Sequence, residues 1–92
     1  MTLTQAKQVY SIRENEKRSR DIGLIHASIN RALEKAVDTG AQVAIATMPT
    51  GVDIELVRVT RQVYKNMGSL VRLDEQFKGT RHYRVTLTIW LS

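Results

Sequence analysis

Three basic residues of a predicted helix have the spacing of a phosphate-binding surface. Arg58, Arg61 and Lys65 are three and four residues apart, which places them on one side of a helix. Three neighbouring cations can neutralise several phosphates of a nucleic acid. The same pattern is typical of an ordinary solvated helix face, so a structural and a nucleic-acid-binding interpretation both remain open.

A second basic group lies near the C-terminus. Lys78, Arg81, His82 and Arg84 are close in sequence, and strand alternation predicts His82 and Arg84 on the same face as Trp90. Cations and an imidazole beside an aromatic ring could hold a nucleotide by charge and stacking. The alternative is a hydrophilic sheet face whose edge charges deter strand pairing.

His82 could also serve as the general base of a small nuclease, together with Arg84 and Tyr83. Alternation places Tyr83 on the opposite face, however, and no paired carboxylate or second histidine can be placed nearby from the sequence. We therefore predict no catalytic residue and no enzyme. His26 is expected to pack at the margin of a helix's apolar stripe.

Metal and cofactor signatures are weak. The chain has no cysteine, which excludes disulfides and thiolate zinc sites. Asp74 and Glu75 could bind a metal only weakly and are predicted to be hydrophilic loop residues. Gly51 and Gly68 stand alone and form no phosphate-cradling motif. No cofactor and no metal are expected.

Trp90 is unusual because it falls among hydrophilic residues of its strand, next to Thr88. A tryptophan there more often packs than stays in water, so we predict a cover, either the N-terminal segment or a second subunit. The predicted interface comprises Trp90, Thr88 and Tyr10. Neither cover gives Trp90 a ligand-binding role.

The C-terminal segment positions most of these residues. Arg81–Leu91 alternates strictly, with Tyr83, Val85, Leu87, Ile89 and Leu91 on one side. The alternation predicts a long half-buried strand in the middle of a sheet. Shorter strands are predicted over Gln42–Met48, with Val43, Ile45 and Thr47 facing inward, and over Leu70–Asp74, followed by a hairpin loop over Glu75–Thr80.

Two helices complete the core. Asp21–Thr39 ends at Gly40, and Asp53–Met67 ends at Gly68 with Leu56, Val59, Thr60, Val63, Tyr64 and Met67 on its apolar stripe. Residues 1–20 are predicted as a separate N-terminal arm. It is either helical, with a capping box from Ser11 to Glu14 that starts a new helix, or a short edge strand around Gln8–Ile12.

The predicted fold is therefore a single α+β domain of two layers over residues 1–92. N-terminal helices precede a β-α-β-β core over residues 21–92, with a three-stranded mixed sheet and the C-terminal strand central. The first two strands, joined by a crossover helix, should run parallel. No apolar run reaches the length of a membrane span, and the polar N-terminus lacks a secretory signal, so a cytoplasmic location is the default expectation.

The whole chain resembles a loose group of small uncharacterised bacteriophage proteins. The resemblance rests on Ala6-Lys7, the helix end at residues 36–40, the strand after it, the second helix ending at Gly68, and the closing strand with Tyr83 and Ile89-Trp90. Related proteins often carry an aromatic residue where this chain has Ser69. The resemblance implies a phage accessory or virion-associated protein.

Residues 21–91 also resemble, in the order of their elements, the Alba family of small basic nucleic-acid-binding dimers. The apolar first strand of that fold and the lysine-bearing loop after it are missing here. The net charge of +5 draws the chain to anions or simply keeps it in solution.

These observations lead to one functional expectation and two alternatives. The first is a non-enzymatic phage-type accessory protein that binds a viral or host protein, as a homo-oligomer, in the host cytoplasm or the virion. The second is a nucleic-acid or nucleotide binder that uses the two basic groups, and the third is a small nuclease. No membrane contact is expected.

Overall fold

The computed structural model of the chain describes residues 1–91 except for the side chain of Tyr83, so the predicted inward orientation of that side chain lies outside the described residues. In chain order the elements are α1 (Leu3–Thr39), β1 (Val43–Thr47), α2 (Ile54–Asn66), β2 (Val71–Lys78) and β3 (Arg81–Trp90). Both helices lie on one face of the sheet, which confirms the predicted α+β class.

A single continuous helix replaces the predicted N-terminal arm and first core helix. Thr2 forms the capping box: its hydroxyl accepts from the Gln5 N–H at 3.2 Å, and the Gln5 side chain accepts from the Thr2 N–H at 2.9 Å. Ser11 lies inside α1, so both the break predicted there and the edge-strand alternative are wrong. A Ser-x-x-Glu pattern also occurs inside helices, and no proline interrupts the segment. Gly40, with φ 68°, ends α1 in the left-handed conformation.

Only the C-terminal half of α1 packs against the rest of the protein. Its buried residues are Asp21, Ile25, Ser28, Ile29 and Ala36, whereas residues 3–20 are exposed except for the half-buried Val9. A helix of 37 residues is about 55 Å long at 1.5 Å per residue, which accounts for the 57 Å length of the molecule. The N-terminal half therefore projects from the domain.

The three strands of the sheet lie in the order β1-β3-β2, so β3 is central as predicted. Both neighbours of β3 are antiparallel to it. β1 and β2 therefore run in the same direction but are separated by β3. The shared direction of β1 and β2 agrees with the prediction, but no two neighbouring strands are parallel, so the predicted mixed sheet is wrong and the arrangement is a split β-α-β unit.

The register defines two faces. On the helix-covered face, Ala44 lies opposite Ile89 and Ala46 opposite Leu87, and all four are buried. The predicted inward orientation of Val43, Ile45 and Thr47 is therefore wrong: Ile45 is 61% exposed. α1 packs directly over β1, and only alanine-sized side chains fit beneath it. The buried core comprises Ile25, Ile29, Ala36, Ala44, Ala46, Met48, Leu56, Val57, Val71, Leu87 and Ile89, with Val85 half-buried against it.

The β2–β3 hairpin is longer and tighter than predicted. β2 continues to Lys78, and only Gly79 and Thr80 form the turn, with Gly79 at φ 68°. Gln76 pairs with Arg84 but Phe77 pairs with His82, so β3 has one additional residue at this point. Such a bulge reverses the alternation of side chains beyond it. His82 consequently lies on the helix-covered side rather than beside Arg84.

Candidate functional site

Glu75 connects the hairpin to α2 through a cluster of polar and charged side chains. Its Oε1 accepts hydrogen bonds from Arg58 Nη2 at 2.8 Å and from His82 Nε2 at 2.9 Å. Arg58 also forms an ion pair with Glu55, one turn earlier on α2. The ring of Phe77 lies against that of His82, with centroids 4.4 Å apart and a tilt of 39°.

The opposite charges of this cluster stabilise one another. The hydrogen bonds from His82 and then from Arg58 lower the pKa of Glu75 below its ordinary value, and the pKa of Arg58 is raised, chiefly by Glu75. Glu75 therefore stays ionised and accepts a hydrogen bond from the imidazole of His82. Such an arrangement fixes the hairpin against α2, and it places a carboxylate beside His82 that could not be placed there from the sequence.

The first predicted basic group is not one surface. Arg58 is held in the Glu75 cluster, and Arg61 is half-buried, with its Nε donating to the Val71 carbonyl at 3.4 Å. Lys65 is exposed and takes part in neither contact. The sequence placed the core-facing side of α2 on Leu56 and Val63, whereas Val57 faces the core fully buried, so the helix is rotated relative to the prediction.

The second predicted basic group is also divided. Arg84 pairs with Gln76 and shares the uncovered face, whereas the bulge turns His82 toward Glu75. Arg81 pairs with Lys78 beside the turn and is exposed. The structure therefore does not bring His82 together with Arg84 and Trp90 on one face.

The uncovered sheet face carries large apolar side chains at one end. We name this surface the open face. Trp90 lies between Val43 on β1 and Leu70 just before β2, with the Trp90 N–H donating to the Leu70 carbonyl at 3.1 Å. Trp90 is 38%, Ile45 61% and Leu70 70% exposed. The members of the open face are Val43, Ile45, Thr47, Leu70, Arg72, Asp74, Gln76, Arg84, Thr86, Thr88 and Trp90.

The predicted N-terminal cover of Trp90 does not form. Leu3, Tyr10 and Ile12 are 72%, 67% and 57% exposed, because α1 continues straight and carries them away from the sheet. Tyr10 and Trp90 therefore belong to separate surfaces of one chain. Of the two predicted covers for Trp90, a second subunit is the one that stays a prediction.

A groove between α1 and α2 is a further apolar surface. It encloses about 380 Å³. Val59, Val63 and Met67 are 56%, 50% and 74% exposed along it, because the rotation of α2 turns half of its apolar stripe away from the core. His26 lines the groove and is exposed, not packed at a core margin as predicted. The lining residues are Ile22, His26, Leu56, Val59, Thr60, Val63, Tyr64 and Met67.

Ile45, Leu70 and the groove were not recognised as surface features from the sequence. Large apolar residues in a strand or on a helix stripe predict burial. The sequence alone does not indicate which of these residues stay exposed. The signal that could have identified them is the number of apolar residues. β1 has apolar residues on both faces, and a single layer of helices covers only one face.

Within residues 1–91, no three histidine, cysteine or acidic side chains cluster as metal ligands, and no helix has the length and hydropathy to cross a membrane. No known family model, curated protein or solved structure matches the chain.

Proposed function

We propose that this chain is a non-enzymatic binding protein that associates with itself through its open face and docks on a protein partner, as a small phage-type accessory protein in the host cell or virion would. The observation that carries the proposal is the exposure of Trp90, Ile45 and Leu70 on the sheet face that neither helix covers. Contiguous apolar surface of this kind marks protein interfaces.

A second copy fits the open face for steric and electrostatic reasons. Thr86 and Thr88 are small, so two such faces can approach to the roughly 10 Å that separates packed sheets. Arg72 and Asp74 form an ion pair at 3.0 Å on this face. Around a two-fold axis each of them can meet the opposite charge on the other copy, and every apolar contact occurs twice.

The groove between α1 and α2 is proposed as the docking site for the protein partner. Its apolar lining lies along two helices, and an amphipathic helix places apolar side chains at intervals of three and four residues into such a groove. The Glu75 cluster uses its polar and charged groups to hold β2 and β3 against α2, which supports a structural role for these side chains.

Self-association can be tested with the single tryptophan, which reports directly on the open face. We expect a dimer in light scattering and a shift of tryptophan emission to shorter wavelength as the concentration rises. Ile45→Lys should give a monomer with emission that does not change with concentration. Gln76→Lys places the same charge at the other end of the open face and should behave as the parent.

Two outcomes would contradict the proposal. One is a parent protein that stays monomeric, with constant emission, at the highest concentration reached. The other is a dimer that Ile45→Lys leaves intact while the circular dichroism spectrum shows a folded protein.

A further inference from the structure

We propose that α1 carries a binding site for the phosphate backbone of duplex DNA, which adjoins the open face at Ile45 and Thr47 of β1 and is separate from the groove. The site is a row of five basic side chains that extends from the projecting half of α1 onto the folded domain. All five are exposed. We name it the α1 basic row: Arg13, Lys17, Arg20, Arg31 and Lys35.

The helix geometry aligns these residues. At 100° per residue, positions 13, 17, 20, 31 and 35 fall within an arc of about 60°, and the distance from the first to the last is about 33 Å. The acidic residues of the same stretch all project outside that arc: Glu14, Glu16, Asp21 and Glu34. The row therefore presents its cations on one side of α1 in two groups, residues 13–20 and 31–35, although the segment as a whole has mixed charge.

Most of the row has no acidic partner. Lys17 lies 3.6 Å from Asp21, but that carboxylate is buried and also accepts from the Asp53 N–H at 3.1 Å, while Lys17 remains half exposed. Arg31 donates one hydrogen bond, from its Nε to the Ala27 carbonyl at 3.4 Å. Its terminal nitrogens are therefore available to a ligand. Within the described residues, no ion pair engages Arg13, Arg20, Arg31 or Lys35.

The row reaches the edge of the sheet at Arg31 and Lys35, and Asp38, one turn beyond Lys35, marks its end. Arg31 and Lys35 line one surface together with Ile45, Ala46 and Thr47 of β1. They are thus held over a packed part of the molecule, whereas Arg13, Lys17 and Arg20 stand on the projecting part. A ligand must be long enough to reach both.

Duplex DNA matches this surface better than other polyanions. It offers one negative charge per about 1.7 Å of its axis, counted over both strands, so a row about 33 Å long can meet several phosphates. Its persistence length of about 50 nm makes it a straight partner for a straight helix, and a flexible strand would lose conformational entropy on binding. An anionic membrane is disfavoured because the arc between Arg13 and Lys35 contains only Leu24 as a large apolar anchor.

The salt dependence of binding tests the site. With a fluorescently labelled duplex of arbitrary sequence, five neutralised phosphates predict a slope of log K against log salt of about −4.5, a loss of about 500-fold between 50 and 200 mM salt. The variant Arg13→Gln, Arg20→Gln, Arg31→Gln should show a slope near −1.8 and lose only about tenfold over that range. Glutamine is a good helix former, so α1 is retained, which circular dichroism checks.

The matched control removes three exposed cations outside the row, with the same change of net charge: Lys65→Gln, Lys78→Gln, Arg81→Gln. It should keep a slope close to that of the parent. A reduced slope of log K against log salt in the control variant, with the parent slope retained in the row variant, would overturn the proposal. So would equally tight binding of a single strand of the same length or of polyglutamate, because the site would then recognise charge without the duplex.

Discussion

Glu75 and His82, seven residues apart across the β-hairpin, are joined by a 2.9 Å contact between Oε1 and Nε2. They meet because the one-residue bulge in β3 turns His82 to the face that Glu75 already occupies. Arg58 binds the same carboxylate oxygen from α2 at 2.8 Å. One oxygen thus ties the distal half of the hairpin to the helix, where the hydrophobic core no longer reaches.

Replacing that carboxylate should make stability less dependent on pH. Because the folded-state pKa of Glu75 is below its ordinary value of 4.5, its contribution is present above that pH and is lost as pH falls through the folded pKa. We expect Glu75→Gln to lower the free energy of unfolding by about 1 kcal/mol at neutral pH and by less with increasing acidity. Denaturant titration between neutral pH and pH 3 measures this difference.

Glu55 provides the control for that prediction. It also pairs with Arg58, but its side chain is 68% exposed, against 22% for Glu75. Glu55→Gln should leave stability almost unchanged at every pH. A Glu75→Gln protein whose deficit grew on acidification would show that the carboxylate is not stabilised in the folded state.

The buried face of the central strand could be predicted from the sequence, whereas that of the first strand could not. Both outcomes have one physical reason. Val85, Leu87 and Ile89 are apolar on one face while the other face holds mostly threonine and arginine, so the alternation has one interpretation. In β1 both faces are apolar, and side-chain size suggested that Val43 and Ile45 were inside. The deciding factor is the close approach of α1, a tertiary contact that local pattern does not encode.

Enlarging an alanine beneath α1 should therefore be costly. Ala46 is 2% exposed and lies between α1 and the sheet, so Ala46→Leu must push the helix away or strain its neighbours. We expect a loss of about 1–3 kcal/mol in the free energy of unfolding. Ile45→Leu, one residue away on the open face, should change stability by less than about 0.5 kcal/mol, since the site is exposed. Chemical denaturation of both variants measures the contrast, and equal stabilities would contradict the assigned faces.

The predicted end of α1 at Gly40 was found, but its start was misplaced because capping signals are local and degenerate. Ser11 and Glu14 have the spacing of a capping box, yet the helix passes through them to the capping box at Thr2. A projecting helix without tertiary contacts is held by its own hydrogen bonds and by its junction with the packed half. The junction contains Gly23, a poor helix former.

Gly23→Ala should accordingly stabilise the protein. Gly23 lies inside α1, and a Cβ added to it would have no heavy atom within 4 Å. We expect a gain of about 0.5–1 kcal/mol, together with slower amide hydrogen exchange in residues 3–20. Gly40→Ala is the opposite case, because its φ of 68° strains any other side chain, and it should destabilise. Faster exchange in the projecting half of Gly23→Ala would show that flexibility at residue 23 does not limit the helix.

A charge in the groove separates the two proposed interfaces. Val63 is 50% exposed on the groove side of α2, so Val63→Glu should alter folding stability by little while making the groove hostile to an apolar partner. If the open face mediates self-association, Val63→Glu remains a dimer in light scattering and keeps the concentration-dependent emission of Trp90. The neighbouring Gln62→Glu, exposed and outside the groove lining, controls for the added charge. A monomeric Val63→Glu beside a dimeric Gln62→Glu would transfer the self-association site from the sheet to the helices.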